Sequence, residues 1–188
     1  EAQGCGASFT GAAFSVAPGY FVTNAHVVAG AERTILRGEA GSERGTVVLF
    51  DPDLDVALVH AGGLRLPPLV FAREAPDRGA IGAALGFPNG AGLTTLPAAV
   101  TAQIRARGHD IYGDSIVIRD VLELRAAVEP GASGGPFVLP DGTVGGVVFA
   151  ESRTDESVGY ALDPVAVSLA ILAGLGETEA IDAGPCIR

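Results

Sequence analysis

Residues 121–139 read VLELRAAVEPGASGGPFVL, two apolar runs separated by a glycine-rich turn. Glycine lets successive backbone N–H groups turn toward one point, and the small neighbours leave Ser133 Oγ open to an approaching carbonyl. The turn therefore predicts a nucleophile at Ser133, with the N–H groups of Gly131 and Ser133 as an oxyanion hole. Taken alone, a Gly-Ala-Ser-Gly-Gly run is more often a plain turn, so the prediction needs partners elsewhere in the chain.

Short apolar runs of the same kind recur along the chain, each bounded by Gly, Pro or Asp. With 27 Gly and 12 Pro residues, the chain has many positions at which an element can end. Short strands joined by tight turns predict an all-β sandwich or barrel rather than alternating strands and helices. The expected strands are 13–17, 20–23, 34–37, 46–50, 56–59, 81–85, 102–107, 121–128, 136–139, 143–149 and 159–162.

One helix is expected, and it follows Pro164 near the end of the chain. The apolar stretch 165–176 is too short to span a bilayer. It is expected to pack as a helix with Val165, Leu169 and Leu172 on one face. The chain begins with Glu1 rather than Met, which indicates a mature form or an excised domain.

The charged residues exclude several classes of function. All 12 cationic residues are Arg, so the chain has no P-loop lysine, no Schiff-base or pyridoxal-binding lysine and no Ser-Lys dyad. The formal net charge is -10, which repels phosphate backbones. We therefore expect no nucleic-acid partner.

A serine nucleophile needs a base whose pKa lies near the working pH, and histidine is the natural choice. His26, in Thr-Asn-Ala-His-Val-Val, stands where a strand ends and an apolar turn begins, so its ring can emerge from a rigid frame. His60 suits a solvated surface position, and His109 stands in a polar turn. A buried histidine with satisfied hydrogen bonds is the alternative for His26 considered by itself.

The base in turn needs a carboxylate that fixes its tautomer and stabilises the imidazolium. Asp55 leads directly into an apolar strand, where an ionised group is costly unless it has a partner. Asp51 and Asp53 are expected to cap the preceding turn. A third turn-capping acid is the alternative for Asp55.

Two cysteines, Cys5 and Cys186, lie near opposite ends of the chain. A structural zinc site needs clustered ligands, which this spacing does not offer. Chain ends often lie close together on a domain surface, so we expect a single disulfide and an oxidising compartment. The alternative is two unpaired thiols in a cytosolic protein. The bond would tie the segment entering the first barrel to the tail beyond the final helix, which is expected to pack on the second, and would thereby hold the two barrels together.

The segments around His26, Asp55 and Ser133, in that order, together resemble the motifs of trypsin-like serine proteases, and their compact spacing is similar to the HtrA/Deg branch. Within that branch the chain resembles the MarP-like membrane-anchored acid-resistance proteases of actinobacteria. The resemblance extends from Cys5 to Cys186 and includes the segments 68–71, 110–113 and 146–149.

This resemblance implies a chymotrypsin-like fold of two six-stranded antiparallel Greek-key β-barrels with a C-terminal helix. Residues 1–75 would form the barrel with His26 and Asp55, and residues 76–188 the barrel with Ser133. The implied activity is that of a serine endopeptidase on protein or peptide substrates, in protein processing or in stress and acid resistance, with no metal and no cofactor. We expect a monomeric domain in an extracytoplasmic location, tethered in the full-length protein to the membrane through an N-terminal region absent here.

By the same resemblance, a primary specificity pocket lies beside the nucleophile. Its walls are expected from Ala127, Val128, Glu129, Phe149, Ala150 and Glu151, with Gly159 and Ala161 at the back. Ala127 stands where trypsins have an acid, so the pocket should accept small or medium apolar side chains rather than Arg or Lys. Glu151 should narrow the opening.

The residue before the nucleophile departs from the family pattern. Trypsin-type enzymes have Asp there and HtrA relatives usually Asn, whereas this chain has Ala132. An aliphatic side chain cannot pair with a released N-terminal amine, so the oxyanion loop must be organised by other contacts or be partly disordered at rest. The competing function is an inactive peptide-binding module on the same fold. An esterase of the α/β-hydrolase type is disfavoured because its order would be Ser, Asp, His.

Overall fold

The structure is a computed structural model that describes residues 1–39, 41–90 and 92–187. Its strands form two sheets that follow one another along the chain, and every named strand pair is antiparallel. This arrangement confirms the all-β class. The boundary predicted at residue 75 lies in the segment between the two sheets, and the division into two domains stays a prediction.

The first sheet has seven strands in the order β2-β1-β5-β6-β7-β4-β3. The strands are β1 (Ala2–Gly4), β2 (Ala7–Phe9), β3 (Phe14–Ala17), β4 (Tyr20–Thr23), β5 (Ala31–Gly38), β6 (Gly41–Asp51) and β7 (Val56–His60). It is an open sheet of seven strands rather than the expected closed barrel of six, and β1 and β2 extend one side of it. Neither was expected, since both are three-residue runs next to glycine or cysteine, and β1 is held by its backbone pairing with β5.

The second sheet closes into the expected six-stranded barrel, in the order β10-β13-β12-β11-β8-β9. Its strands are β8 (Ile81–Gly86), β9 (Thr94–His109), β10 (Ile116–Arg125), β11 (Pro136–Val138), β12 (Val144–Glu151) and β13 (Val158–Leu162). Strand β9 is much longer than the expected 102–107. In the sequence alone Pro97 argues against a strand interior, so the first half of β9 could not be expected from the sequence. Its far half pairs with β10 as a long hairpin, from Ala102↔Glu123 to His109↔Ile116.

The described part of the chain also contains two short α-helices, α1 (Ala25–Val28) and α2 (Pro164–Ala170). Helix α2 begins as expected at Pro164, and Asp163 Oδ1 caps it by accepting hydrogen bonds from the next two free backbone N–H groups. The expected buried face is wrong. Leu169 and Leu172 are exposed, and Val167 and Ile171 are buried instead. The α-helix gives way after Ala170 to a 3-10 helix (Ile171–Gly174), and Val167 and Ile171 pack into the same hydrophobic cluster.

The helical segment packs across both sheets. Val167 and Ile171 belong to a shared hydrophobic cluster with Leu58 of the first sheet and Val147 and Leu162 of the second. This cluster lies between the sheets and therefore fixes their relative position. Among the residues that the structure describes, no helix combines the length and the apolar character needed to cross a bilayer.

The C-terminal tail beyond the helical segment returns to the first sheet, so the disulfide does not link the two sheets as the sequence had led us to expect. Ile181 N donates to Val47 O at 3.0 Å, and Gly30 N donates to Ala183 O at 3.1 Å. The tail ends in a disulfide between Cys5 and Cys186, which confirms that pairing. The bond thus joins the start of the chain to a tail that packs on the same sheet. It lies against Gly30, just beyond α1, where a Cβ atom would be 2.7 Å from Cys5 Sγ.

Candidate active site

His26 lies on the single turn of α1, directly after β4. Its helix neighbours Ala25, Val27 and Val28 are buried, which fixes the backbone and leaves the imidazole ring partly exposed. His26 Nδ1 is 2.8 Å from Asp55 Oδ2, and the backbone N of His26 donates to Asp55 Oδ1 at 2.9 Å. Both carboxylate oxygens therefore hold His26, and its Nε2 is left for other contacts.

Asp55 is buried in the turn between β6 and β7. Its φ angle of 65° lies in the left-handed region, which Asp tolerates better than most residues. The side chain of Asn24 donates to the Asp55 carbonyl at 2.8 Å. Asp51 Oδ1 accepts the Leu54 N–H at 2.8 Å, so Asp51 caps the turn as expected, while Asp53 is exposed and its side chain does not.

Ser133 lies in a loop that packs against the first sheet. Ala12 N donates to Ser133 O at 2.7 Å, and Thr23 Oγ1 donates to Ala12 O at 2.7 Å. A Cβ atom on Gly11 would lie 2.7 Å from Val27 Cγ2 and 3.0 Å from Ser133 O. Only a glycine fits between the serine loop and α1, so the structure brings Ser133 to the helix of His26.

Ser133 Oγ itself has no hydrogen bond within the described ranges, so it is not joined to His26 in this state. Hydrogen bonds between a nucleophile and its base are often long in free enzymes and shorten when substrate binds.

The backbone of the serine loop is held by hydrogen bonds on both sides. Gly134 N donates to Val148 O at 2.8 Å, and Gly135 N donates to Ala132 O at 2.9 Å. Gly131 accepts from Phe87 N at 3.3 Å and has a φ of 100°. Within the described residues, the N–H groups of Gly131 and Ser133 have no backbone acceptor, which leaves both available for an oxyanion.

Ala132 supplies the contact that organises this loop. It is 1% exposed and packs against Gly86 at the end of β8, where a Cβ atom would lie 2.7 Å from Ala132 Cα. Its N–H donates to Glu129 O at 3.0 Å. Of the two alternatives left open by the sequence, the loop is therefore organised by other contacts, and the packing of Ala132 on β8 is one of them.

The predicted pocket residues fall into three groups. Ala127, Glu129 and Glu151 are exposed, Phe149 and Ala150 are half-buried, and Val128, Gly159 and Ala161 are buried. The Val128 side chain covers Gly159, where a Cβ atom would collide with it. The Ala161 methyl points into the barrel core, 3.0 Å from where Gly146 would place a Cβ.

The end of β12 offers an open edge beside Ser133. Val148 bonds to Gly134 and Gly135 through its backbone, and β11 pairs with β12 no further than Val147. Beyond that point Ala150 and Glu151 pair with β13 alone among the described strands, and Phe149 lies at an irregularity of that pairing. An extended peptide could add to this edge.

The other two histidines have different surroundings. His60 packs on Tyr20 with 5.0 Å between ring centroids, and His109 is exposed. In the described part of the chain, no three His, Cys, Asp or Glu side chains cluster to hold a metal ion. The predictions of no metal and no cofactor stay predictions.

Sequence reasoning missed Asn24, Gly11 and Gly86. Asn24 stands inside the quoted histidine motif, where its polar side chain was a usable signal. The two glycines act through contacts with residues far away in sequence, and nothing near them in the chain indicates those contacts.

Comparisons with known proteins agree with this geometry. A family model described as a trypsin-like peptidase domain matches residues 10–147. Serine protease Rv3671c of Mycobacterium tuberculosis is 42% identical over 185 residues, covering 97% of this chain and 46% of that protein. A probable periplasmic serine endoprotease, DegP-like, of Ectopseudomonas mendocina is 33% identical over 179 residues, covering 91% of this chain and 35% of that protein. The chain thus spans about half or less of the length of the curated relatives it matches.

The fold matches solved structures of the same mycobacterial protease. The active form of Rv3671c gives a TM-score of 0.96 at 38% identity, covering 100% of this chain and 83% of that one. The inactive form gives a TM-score of 0.80 at 40% identity, covering 89% and 84%. The backbone described here is therefore more similar to the active form, and its chymotrypsin-like architecture is confirmed.

Proposed function

The chain belongs to the trypsin-like serine endopeptidases, with HtrA/DegP-like relatives, and on that premise we propose that Ser133, His26 and Asp55 are its catalytic triad. The observation that supports this assignment most strongly is the pairing of His26 with both oxygens of Asp55, at 2.8 and 2.9 Å. A buried carboxylate in this position holds the imidazole in one orientation and stabilises its protonated form.

The triad residues would act in two half-reactions. Ser133 Oγ attacks the scissile carbonyl carbon while His26 Nε2 takes the hydroxyl proton, and the carbonyl electron pair moves onto oxygen. When the tetrahedral intermediate collapses, the C–N bond breaks and His26 gives its proton to the leaving amine. A water then attacks the acyl-enzyme with His26 as base, and Ser133 recovers its proton.

The developing oxyanion would be bound by the N–H groups of Gly131 and Ser133. Two backbone donors that are already oriented lower the barrier without reorganisation during the reaction. The packing of Ala132 on Gly86 supports a loop that is set before substrate binds.

The substrate is proposed to be a protein segment bound as an extended strand along residues 149–151. Its side chain before the scissile bond would enter the pocket formed by Ala127, Val128, Glu129, Phe149, Ala150 and Glu151, with Gly159 and Ala161 behind them. Because Val128 covers Gly159, we propose a shallow pocket for small apolar side chains. Glu129 and Glu151 are exposed at its opening.

We further propose an extracytoplasmic location, supported by the Cys5–Cys186 disulfide and by relatives named periplasmic. A role in protein processing or stress resistance, a monomeric domain and a membrane tether in the full-length protein remain part of the same proposal.

Peptide hydrolysis by the purified chain tests the proposed activity. Ser133→Ala should abolish cleavage without lowering the melting temperature, because the loop is held by backbone bonds that alanine retains. Ser8→Ala is the matched control, since Ser8 is exposed on β2 and far from the loop in sequence. A parent chain that binds peptides without cleaving them would instead identify an inactive binding module on this fold.

A further inference from the structure

Arg119 is a cation of the second barrel that binds the first sheet. It lies on β10, in the long hairpin with β9, and is half-buried. Its Nε donates to Asp53 O and its Nη2 donates to Pro52 O at 3.4 Å, while Nη1 donates to His109 O at 3.1 Å. Among the described residues its guanidinium has no carboxylate partner within ion-pair distance.

The two carbonyls of the first sheet belong to the turn that presents Asp55. That turn connects β6 and β7, which pair through Asp51↔Val56, so residues 52–55 form the whole connection. Asp55 stands in the left-handed region at φ 65°, a conformation that persists only where its surroundings enforce it. Asn24 holds the turn from its own sheet through the Asp55 carbonyl.

The guanidinium suits this task because its donors form a rigid planar fork. Two donors bind successive carbonyls of the turn, and the third binds the neighbouring strand end at His109, which fixes the plane of the fork. Arg119 lies 66 and 67 positions from Asp53 and Pro52 in the sequence, and these hydrogen bonds cross from the second sheet to the first.

We propose that Arg119 is a positioning residue for the triad: it holds the turn at Pro52 and Asp53 and thereby keeps the Asp55 carboxylate on His26. The inference rests on the proposed function of the triad. It makes the His26–Asp55 pair dependent on the second barrel, beyond that barrel's contribution of Ser133.

The first test observes the pair itself. In the 188-residue chain, the proton on His26 Nδ1 gives a far-downfield ¹H NMR resonance when it is hydrogen-bonded to Asp55. Arg119→Ala should broaden this resonance or move it upfield. Arg107→Ala is the matched control, because Arg107 is an exposed arginine on the same hairpin and the substitution changes the charge equally. An unchanged resonance in Arg119→Ala overturns the inference.

The second test separates positioning from a general structural effect. Arg119→Ala should lower kcat about 10-fold to 100-fold, on the scale of a displacement near 1 Å, with KM within about twofold of the parent. In an Asp55→Asn background the same substitution should cost no more than about twofold, because the carboxylate through which it acts is gone. An equal loss in both backgrounds overturns the inference.

Arg119→Lys is measured beside Arg119→Ala in case the latter does not fold. Lysine keeps the charge but lacks the fork, so the same changes should appear at smaller size. If Lys behaves as the parent does in both tests, the inference is wrong. A parent chain without peptidase activity would contradict the proposed function, and the NMR comparison would then decide the role of Arg119 independently.

Discussion

Gly86→Ala should impair catalysis through the backbone of Ala132, without touching any residue of the proposed triad. The new Cβ would lie 2.7 Å from Ala132 Cα and 3.0 Å from its Cβ. Carbon atoms in contact prefer about 3.5–4.0 Å, so the serine loop must move by roughly 1 Å. Ala132 is buried, so the displacement has to be absorbed within a packed interior.

The expected cost follows from what that loop presents. A displacement of about 1 Å in a catalytic group lowers the rate roughly 100-fold, which corresponds to about 2.7 kcal/mol of lost transition-state stabilisation. Overpacking of the buried contact should cost about 1–3 kcal/mol of folding stability. The variant should therefore fold, with a lower melting temperature and a much larger loss of kcat than of binding.

The assay is steady-state hydrolysis of a peptide, with active-site titration and a thermal melt on the same samples. Gly108→Ala is the control, because a Cβ on Gly108 meets no atom of the described residues within 4 Å and the residue lies in the β9 hairpin, far from the loop in sequence. If kcat of Gly86→Ala stays within about threefold of the control, the contact with β8 does not organise the oxyanion loop.

Further predictions concern specificity, the disulfide and acid sensitivity. A peptide library should show cleavage after small apolar residues, since Ala127 stands where an acid would select Arg or Lys; dominant cleavage after basic residues contradicts this. Replacing both Cys5 and Cys186 by Ala opens a loop of sequence separation 181, with an entropic cost of up to roughly 5 kcal/mol. The melting temperature should fall by about 10–20 °C, and an unchanged melt refutes a stabilising role. Desolvation raises the pKa of Asp110, but hydrogen bonds from the backbone N–H groups of residues 112–115 outweigh this effect and hold the pKa below its ordinary value of 3.8. Because this pKa is lower in the folded chain than in the unfolded chain, the ionised carboxylate stabilises the fold above pH 3.8. The stabilisation is lost as the pH falls through the pKa of the folded state. Asp110→Asn should therefore melt lower than the parent at pH 6, and the difference should vanish in acid; a gap that is constant with pH argues against this.

The sequence was most informative where chemistry requires a fixed residue type. A histidine at a strand end, a carboxylate entering an apolar strand and a serine among glycines are each ambiguous alone, but their order and spacing together point to one family. The two glycines that help to position these three side chains have no such local signal in the sequence. Gly11 and Gly86 matter because a side chain at either position would collide with neighbouring atoms. Gly11 lies against Val27 and against Ser133, which is more than a hundred positions away, and Gly86 lies against Ala132, more than forty positions away.

Local pattern also failed where tertiary packing decides. Leu169 and Leu172 were expected on the buried face, but Val167 and Ile171 face inward instead, against the hydrophobic cluster between the two sheets. Strand β1 has little intrinsic preference for an extended form and is defined by its pairing with β5. Neither outcome can be read from nearby residues, because both depend on surfaces built elsewhere in the chain.

Covalent labelling by a fluorophosphonate, with the adduct located by mass spectrometry, tests most directly the claim that His26 activates Ser133. The account predicts a single adduct on Ser133 in the parent chain. It also predicts that His26→Ala slows labelling by several orders of magnitude, while His60→Ala labels at the parental rate because His60 packs on Tyr20. An adduct on another residue, no adduct on a folded parent, or equal labelling in His26→Ala would contradict the account.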